Sequence, residues 1–289
     1  MLELNSRTLN QNLQQWLDED IAMGDVTTMT TIPAGQESKG IIHVKDQGIL
    51  AGLPVAQAVF ALVDPNLQFQ ALAKDGDAVS YGTVIAEVSG STRSILLGER
   101  LALNLMQRMS GVATRTRQFV DRLEGSPVRL VDTRKTTPGH RMLEKYAVRV
   151  GGGHNHRFGL FDAVMIKDNH IKGAGGVAQA IQAARANIPH TMKIEVEVES
   201  FEQLEQALSA GADVIMLDNM APQQMKEAVH RIKSAAPHIV VEASGSVTLD
   251  TIQQIADSGV DVISVGRLTY SVQALDISLD LNDRKGVRP

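Results

Sequence analysis

Apolar and polar positions follow two different rhythms along the chain. In the first third, Leu9, Leu13, Trp16 and Leu17 recur at helical spacing. Gly40 to Leu50 alternates weakly among strand formers, and Ala78 to Val88 reads as a short hairpin with turn signals at Tyr81-Gly82. Glu99 to Met109 reads as a helix, with Leu101, Leu105 and Arg108 spaced along it. After Val128 the rhythm changes. Apolar strand-like runs recur at Arg129–Asp132, Ala163–Ile166, Ile194–Val198, Val214–Leu217, Ile239–Val241 and Val262–Val265, with helical segments between them. Ser200-Phe201-Glu202-Gln203 is a capping-box pattern, and Gly211 closes the helix it opens. Thr137-Pro138 suits an N-cap and first helical position, and Gly151 the end of that helix. Alternating β and α units imply a parallel sheet. Six such units predict an α/β barrel, incomplete, with an open doubly wound sheet as the alternative.

Composition narrows the class. Hydrophobic residues make up 43% of 289 and charged residues 21%, which suits a soluble globular protein with a full core. A net charge of -5 with 3% aromatics disfavours a general nucleic-acid binder, which needs a basic face and stacking rings. Cysteine is absent, so disulfides, zinc–thiolate sites and cysteine nucleophiles are excluded. The first twenty residues lack the apolar h-region of a secretory signal. No stretch reaches the ~18 apolar residues of a membrane span. The cytoplasm is the expected compartment.

In α/β barrels the chemistry sits at the C-terminal ends of the strands. Here each expected strand ends in a candidate ligand: Asp132 with Arg134 and Lys135, then Lys167, Glu197 with Glu199, Asp218, Ser244 and Gly266. Ile194 to Glu199 alternates apolar and acidic residues. Side chains alternate faces along a strand, so the three glutamates are expected on one face, toward the barrel interior. There they need a cation, a hydroxyl-rich ligand or a metal. The alternative is an edge strand with a solvated face.

The stretch from Asp132 to Lys172 is net positive in an acidic protein, which fits a local anion site. Arg141, Lys145 and Arg149 have helical spacing and read as a solvated face. Arg134, Lys135, Arg157 and Lys167 lie at strand ends or in loops and are the better ligands. Ala243-Ser244-Gly245 and Val265-Gly266-Arg267 each follow a strand, where small residues expose backbone N–H groups to a phosphate.

The string from Asp132 to His170, DTRKTTPGHRMLEKYAVRVGGGHNHRFGLFDAVMIKDNH, closely resembles the signature of the quinolinate phosphoribosyltransferase family. The likeness covers almost the whole chain through EDIAMGDVTT, GERLALNLMQRMSGVAT, EVEVES, IMLDN, EASG and ISVG. It implies a type II phosphoribosyltransferase: an α/β class fold with an N-terminal α/β sandwich domain at 1–114, rejoined by the C-terminal residues 273–289, and an incomplete α/β barrel at 115–272. It implies transfer of a phosphoribosyl group from phosphoribosyl pyrophosphate to quinolinate with loss of carbon dioxide, giving nicotinate mononucleotide for NAD biosynthesis. It also implies Mg2+ and a homodimer with shared active sites, with a hexamer as a higher assembly, and neither nucleic acid nor membrane as partner.

By motif position the resemblance gives quinolinate to Arg134, Lys135, His156, Arg157 and Lys167, with Thr133 nearby and Arg100 reaching in from the other subunit. Glu197 and Asp218 would serve the ribose hydroxyls and, indirectly, the magnesium bound to the donor. Ser244, Gly245 and Gly266 would cradle the 5-phosphate. Lys135, Glu197 and Asp218 are the catalytic candidates. Relatives often carry GALTHS where this chain has Gly266-Arg267-Leu268-Thr269-Tyr270-Ser271, so a histidine gives way to Tyr270 and Arg267 is an extra cation. Other possibilities stay open: the related molybdenum-transport-associated branch, a Schiff-base aldolase or decarboxylase using Lys135 or Lys167, and an anion-binding module without turnover.

Overall fold

The computed structural model describes residue 4 and residues 6–282. Its first elements are α1 (Ser6–Ile21), α2 (Val26–Thr31), β1 (Glu37–Val44), β2 (Gly48–Ile49), α3 (Leu53–Val63), β3 (Gln68–Ala71), β4 (Ala78–Val79), β5 (Val84–Ser91) and α4 (Thr92–Arg122). There follow β6 (Arg129–Val131), α5 (Arg141–Val150), β7 (Val164–Ile166), α6 (Asp168–Ala174), α7 (Val177–Asn187), β8 (Ile194–Val198) and α8 (Phe201–Ala210). The last are β9 (Val214–Asp218), α9 (Pro222–Ala235), β10 (Val240–Ser244), α10 (Ile252–Ala256), β11 (Val262–Ser264), α11 (Arg267–Tyr270) and β12 (Ile277–Leu281). Two units result. One takes the chain up to Arg117, Thr137–Gly152 and the chain from Ser271; the other takes Gln118–Thr136 and Gly153–Tyr270.

The first unit holds a four-stranded antiparallel sheet in the order β12-β1-β5-β3. The last described strand, β12, thus lies against β1, and His43 Nε2 meets Asp280 Oδ2 at 2.9 Å across the pair. Residues 283–289, part of the expected C-terminal return, lie outside the described residues. In α1, Leu9, Leu13 and Leu17 share one buried face, the i, i+4, i+8 stripe that drives an amphipathic helix onto a core. Trp16 is off that stripe and stacks on His140 with ring centroids 4.8 Å apart.

Three local expectations need correction in this unit. Ala78 to Val88 is not a hairpin: β4 pairs with β2, and β5 pairs with β1 and β3. The turn signal is real, since Thr83 N–H donates to Ser80 O at 3.0 Å, but each flanking strand finds a distant partner. Helix α5 starts after His140, not at Thr137-Pro138. Thr137 N–H instead donates to the buried Glu144 Oε2 at 3.1 Å, and Glu144 Oε1 pairs with Arg108 Nη2 at 2.7 Å. The solvated face expected for Arg141, Lys145 and Arg149 fails at Lys145, which is 1% exposed. Gly151 caps α5 at a point where nothing larger fits: a Cβ there would lie 2.5 Å from Ala113 O and 2.6 Å from Thr116 Cβ.

The second unit is a six-stranded parallel sheet in the order β6-β11-β10-β9-β8-β7. Strands consecutive in the chain are neighbours from β7 to β11, and β6 pairs with β11. No ladder joins β6 to β7 among the described residues, so the barrel is incomplete at one seam. His154 runs along that seam, donating to Leu130 O at 2.8 Å and accepting from Asp132 N–H at 3.2 Å. Ile194, Val196 and Val198 are fully buried on the outer face of β8, each side chain worth roughly 1.5–3 kcal/mol of burial. Half of the capping box expected before α8 forms: Ser200 Oγ accepts the Gln203 N–H at 3.2 Å, but Gln203 Oε1 accepts at 2.8 Å from the N–H of Glu199, one residue before the cap. Gly211 ends the helix at φ +77. No helix among the described residues is long and apolar enough to cross a membrane.

Candidate active site

A cavity of about 570 Å³ opens at the C-terminal ends of the barrel strands. Thr133, Arg134 and Lys135 reach it from the loop after β6, Met165 and Lys167 from β7, and Glu197 from β8. Met216, Asp218 and Asn219 come from β9, Ser244 to Ser246 from β10, and Ser264, Arg267 and Tyr270 from β11 and beyond. His156 and Arg157 come from the seam segment. The period of two explains the selection: Lys167, Glu197, Asp218 and Ser244 each follow the inward residue two places earlier on their strand. Five lysine and arginine side chains therefore face two carboxylates.

The cations are not equivalent. Lys167 Nζ lies 2.5 Å from Glu197 Oε2. Arg157 donates from Nη1 to Ala163 O at 3.0 Å, and burial and the neighbouring charge of Arg134 both push its guanidinium below the ordinary value. Among the carboxylates, Asp218 is pushed up by burial and then by repulsion from Glu197. Asn219 Nδ2 donates to Asp218 Oδ2 at 2.8 Å.

The expected face of three glutamates is only partly right. Glu195 is buried beneath the cavity and Glu197 lines it, but Glu199 falls past the end of β8 and is exposed. Asp132, at the end of β6, is not a cavity ligand. It is fully buried, accepting from His156 N–H at 2.9 Å and Asn155 Nδ2 at 2.6 Å, and so pins the seam segment.

His156 lines the cavity, yet both ring nitrogens are engaged within the protein. Nδ1 accepts the Arg157 N–H at 2.7 Å. Nε2 faces Glu195 Oε2 at 3.2 Å and Glu242 Oε2 at 3.4 Å. Burial alone would lower the imidazole's affinity for a proton, but the two glutamates outweigh it and raise it, while burial raises Glu195. The Nδ1 contact to the Arg157 N–H turns Nε2 toward the two carboxylates. Glu242 was not among the expected residues. The same alternation that marks β8 would have exposed it, since Val240, Glu242 and Ser244 share one face of β10.

The backbone beside Asp218 has special geometry. Asn219 takes φ +52 and Gly245 φ +97, and a Cβ on Gly245 would lie 2.1 Å from Asn219 Oδ1. Gly266 is not part of the cavity wall itself but abuts it: a Cβ there would meet Tyr270 Cε1 at 2.8 Å and Lys135 Cδ at 3.0 Å. Arg100 does not line this chain's cavity; it is exposed on α4. Met165, Met216, Asn219, Ser246 and Ser264 were not foreseen, because small and apolar wall residues carry no chemical signal in a sequence.

Comparison with known proteins agrees with this architecture. The family model for the quinolinate phosphoribosyl transferase N-terminal domain matches residues 25–110, and that for the C-terminal domain matches residues 112–280. A probable nicotinate-nucleotide pyrophosphorylase [carboxylating] of Synechocystis is 48% identical over 93% of this chain and 91% of its own length. The corresponding protein of Bacillus subtilis is 47% identical over 96% and 95%. The crystal structure of NadC from Streptococcus pyogenes superposes with a TM-score of 0.92 at 42% identity, covering 98% of this chain and 99% of that one. Together with the cation-rich cavity at the mouth of an incomplete barrel, these likenesses establish that the chain belongs to the quinolinate phosphoribosyl transferase family.

Proposed function

We propose that this protein is a cytoplasmic phosphoribosyltransferase that joins quinolinate to phosphoribosyl pyrophosphate and decarboxylates the product to nicotinate mononucleotide. The observation that carries the proposal is the division of charge in the cavity: Arg134, Lys135, Arg157, Lys167 and Arg267 share it with Glu197 and Asp218. Quinolinate is a dianion with adjacent carboxylates. Arginine forks match carboxylates bidentately, so converging cations suit it. In the first step the pyridine nitrogen's lone pair attacks C1 of the donor as the C1–O bond to pyrophosphate breaks. Positive charge develops on the ribosyl ring, where Glu197 and Asp218 stabilise it electrostatically. The ring nitrogen is then cationic. The C2–carboxylate bond breaks, carbon dioxide leaves, and the electron pair left on C2 beside N⁺ is protonated. No protein nucleophile is needed. A Schiff-base lysine would need cationic neighbours, whereas Lys167 is paired with Glu197.

Glu197 and Asp218 fit a hard cation held through the donor, since both are oxygen ligands and burial, then repulsion from Glu197, raises Asp218. Magnesium there would neutralise the pyrophosphate. Ser244, Gly245 and Gly266 are assigned to the 5-phosphate, because Gly245 brings backbone close to the cavity where no side chain fits. Arg100 is assigned to the neighbouring subunit's site in a homodimer. A coupled assay with quinolinate, phosphoribosyl pyrophosphate and magnesium tests the proposal. Stoichiometric carbon dioxide and pyrophosphate are expected; pyrophosphate release without carbon dioxide would overturn it.

A further inference from the structure

Beneath the cavity lies a cluster that the reaction itself does not use. Glu195 on β8 and Glu242 on β10 are 5% and 3% exposed, and both point at Nε2 of His156. Glu242 Oε1 is buried without a hydrogen-bond partner. Burying two carboxylates, one of them incompletely paired, is costly and calls for a function. The three groups could also hold a divalent cation, since their ligand atoms lie within 4.8 Å of one another. The other ring nitrogen argues against that. A metal-bound imidazole donates its second N–H outward, whereas Nδ1 of His156 accepts from Arg157 N–H.

We infer that Glu195 and Glu242 are positioning residues that fix the His156 ring by Nε2, so that Nδ1 holds the Arg157 backbone and aims its guanidinium into the cavity. The contacts form one chain. Nε2–H is held between the carboxylates; Nδ1 takes the Arg157 N–H; Arg157 Nη1 is tied to Ala163 O. Asp132 Oδ1 accepts the His156 backbone N–H at 2.9 Å. Loss of either carboxylate leaves Nε2 held by a single acceptor at 3.2 Å or more, so the ring turns or its proton moves to Nδ1, where it opposes the Arg157 N–H and turns the residue away. The inference rests on the proposed role of Arg157 in recognising the ring dicarboxylate.

The test is a set of steady-state measurements on the intact enzyme with Glu242→Met, Glu242→Gln, Arg157→Ala and the double variant Arg157→Ala/Glu242→Met. Methionine keeps the shape and removes both oxygens; glutamine keeps an acceptor oxygen. E242M is expected to raise the quinolinate KM about tenfold while the KM for phosphoribosyl pyrophosphate stays within about twofold. E242Q is expected to restore near-normal KM. In the Arg157→Ala background E242M should add nothing, because the two act through one contact. Glu195→Met makes the same comparison from the neighbouring strand should E242M not accumulate as folded protein. Equal changes in both KM values, no rescue by glutamine, or full additivity with Arg157→Ala would overturn the inference. So would a chelation-resistant divalent ion, one per chain, lost in E242Q. If Arg157→Ala itself leaves the quinolinate KM unchanged, the recognition role of Arg157 is what has failed; if only E242M is silent, the positioning chain alone has failed.

Discussion

Lys167 and Glu197 form one ion pair across the ends of two neighbouring strands, Nζ to Oε2 at 2.5 Å. On the proposed roles, a cation for a substrate carboxylate and a carboxylate for a developing cation thus neutralise each other. Removing Glu197 should therefore leave Lys167 available for quinolinate while removing stabilisation of the ribosyl charge. Glu197→Ala is expected to lower turnover by at least about 100-fold, as expected for lost electrostatic stabilisation of the transition state, with quinolinate affinity unchanged or tighter. Asp218→Ala should lower turnover similarly, without the gain in affinity. Steady-state turnover beside calorimetric quinolinate binding distinguishes these effects. Near-normal turnover with lost quinolinate binding in either variant would mean that the roles are reversed.

Substrate choice follows from the cation count. Nicotinate lacks the C2 carboxylate and would forgo its contacts to the half-buried Arg134, Arg157 and Lys167, a penalty on the order of a few kcal/mol. A preference for quinolinate over nicotinate of at least about 100-fold in kcat/KM is expected. Competition between the two acids measures it directly, and equal turnover of both would refute the site assignment.

Asp132 should matter for stability rather than for binding. It is fully buried and satisfies the His156 N–H and the Asn155 side chain. Asp132→Ala removes the buried acceptor of two donors and should lower the unfolding free energy by about 2–4 kcal/mol. Urea denaturation of the variant, read beside its quinolinate KM, separates that effect from loss of a ligand. A variant of wild-type stability with a raised KM would show that Asp132 serves the substrate after all.

That residue also shows where the sequence was legible. The barrel strands were visible because Ile194, Val196 and Val198 alternate with acids, and because runs such as Val214–Leu217 are too apolar for anything but a covered strand. Polar residues at strand ends were visible too, but not which way they turn. Asp132 and Lys167 carry the same signal, yet one pins a backbone segment and the other lines the cavity. Partners distant in sequence were not legible at all. Glu144 is buried because Arg108, 36 residues earlier, reaches it, and no spacing rule reports that pair. The false hairpin has the same origin: Ala78 and Val84 follow ordinary turn chemistry, and only the sheet shows that each pairs elsewhere.

Gly245 offers a test of the phosphate assignment. Its left-handed backbone, φ +97, and a would-be Cβ 2.1 Å from Asn219 Oδ1 leave no room for alanine. Gly245→Ala should displace Asn219, and with it the loop beside Asp218. The KM for phosphoribosyl pyrophosphate is expected to rise about tenfold or more, with the quinolinate dissociation constant measured alone unchanged. Loss of quinolinate binding with an unaltered donor KM would move the phosphate elsewhere.

Arg100 tests the shared site. It lies exposed on α4 and does not line the cavity of its own chain. If it contacts a quinolinate carboxylate in the neighbouring subunit's cavity, the charge-assisted bond is worth roughly 1.5–3 kcal/mol. Its loss should then weaken quinolinate binding by about one to two orders of magnitude. Weakening alone does not say which subunit supplies the arginine, so complementation is needed. Arg100→Ala and Lys167→Ala should each be nearly inactive. When the two are mixed and exchange subunits, each heterodimer carries both defects in one site and neither in the other. Random pairing makes half the dimers mixed, so recovery of up to about a quarter of wild-type activity is expected from the two-fold symmetry. Subunit exchange can be followed independently with differently tagged chains captured in sequence. Exchange without recovered activity would place Arg100 in its own chain's site or in a purely structural role, and the shared-site arrangement would then be wrong for this protein.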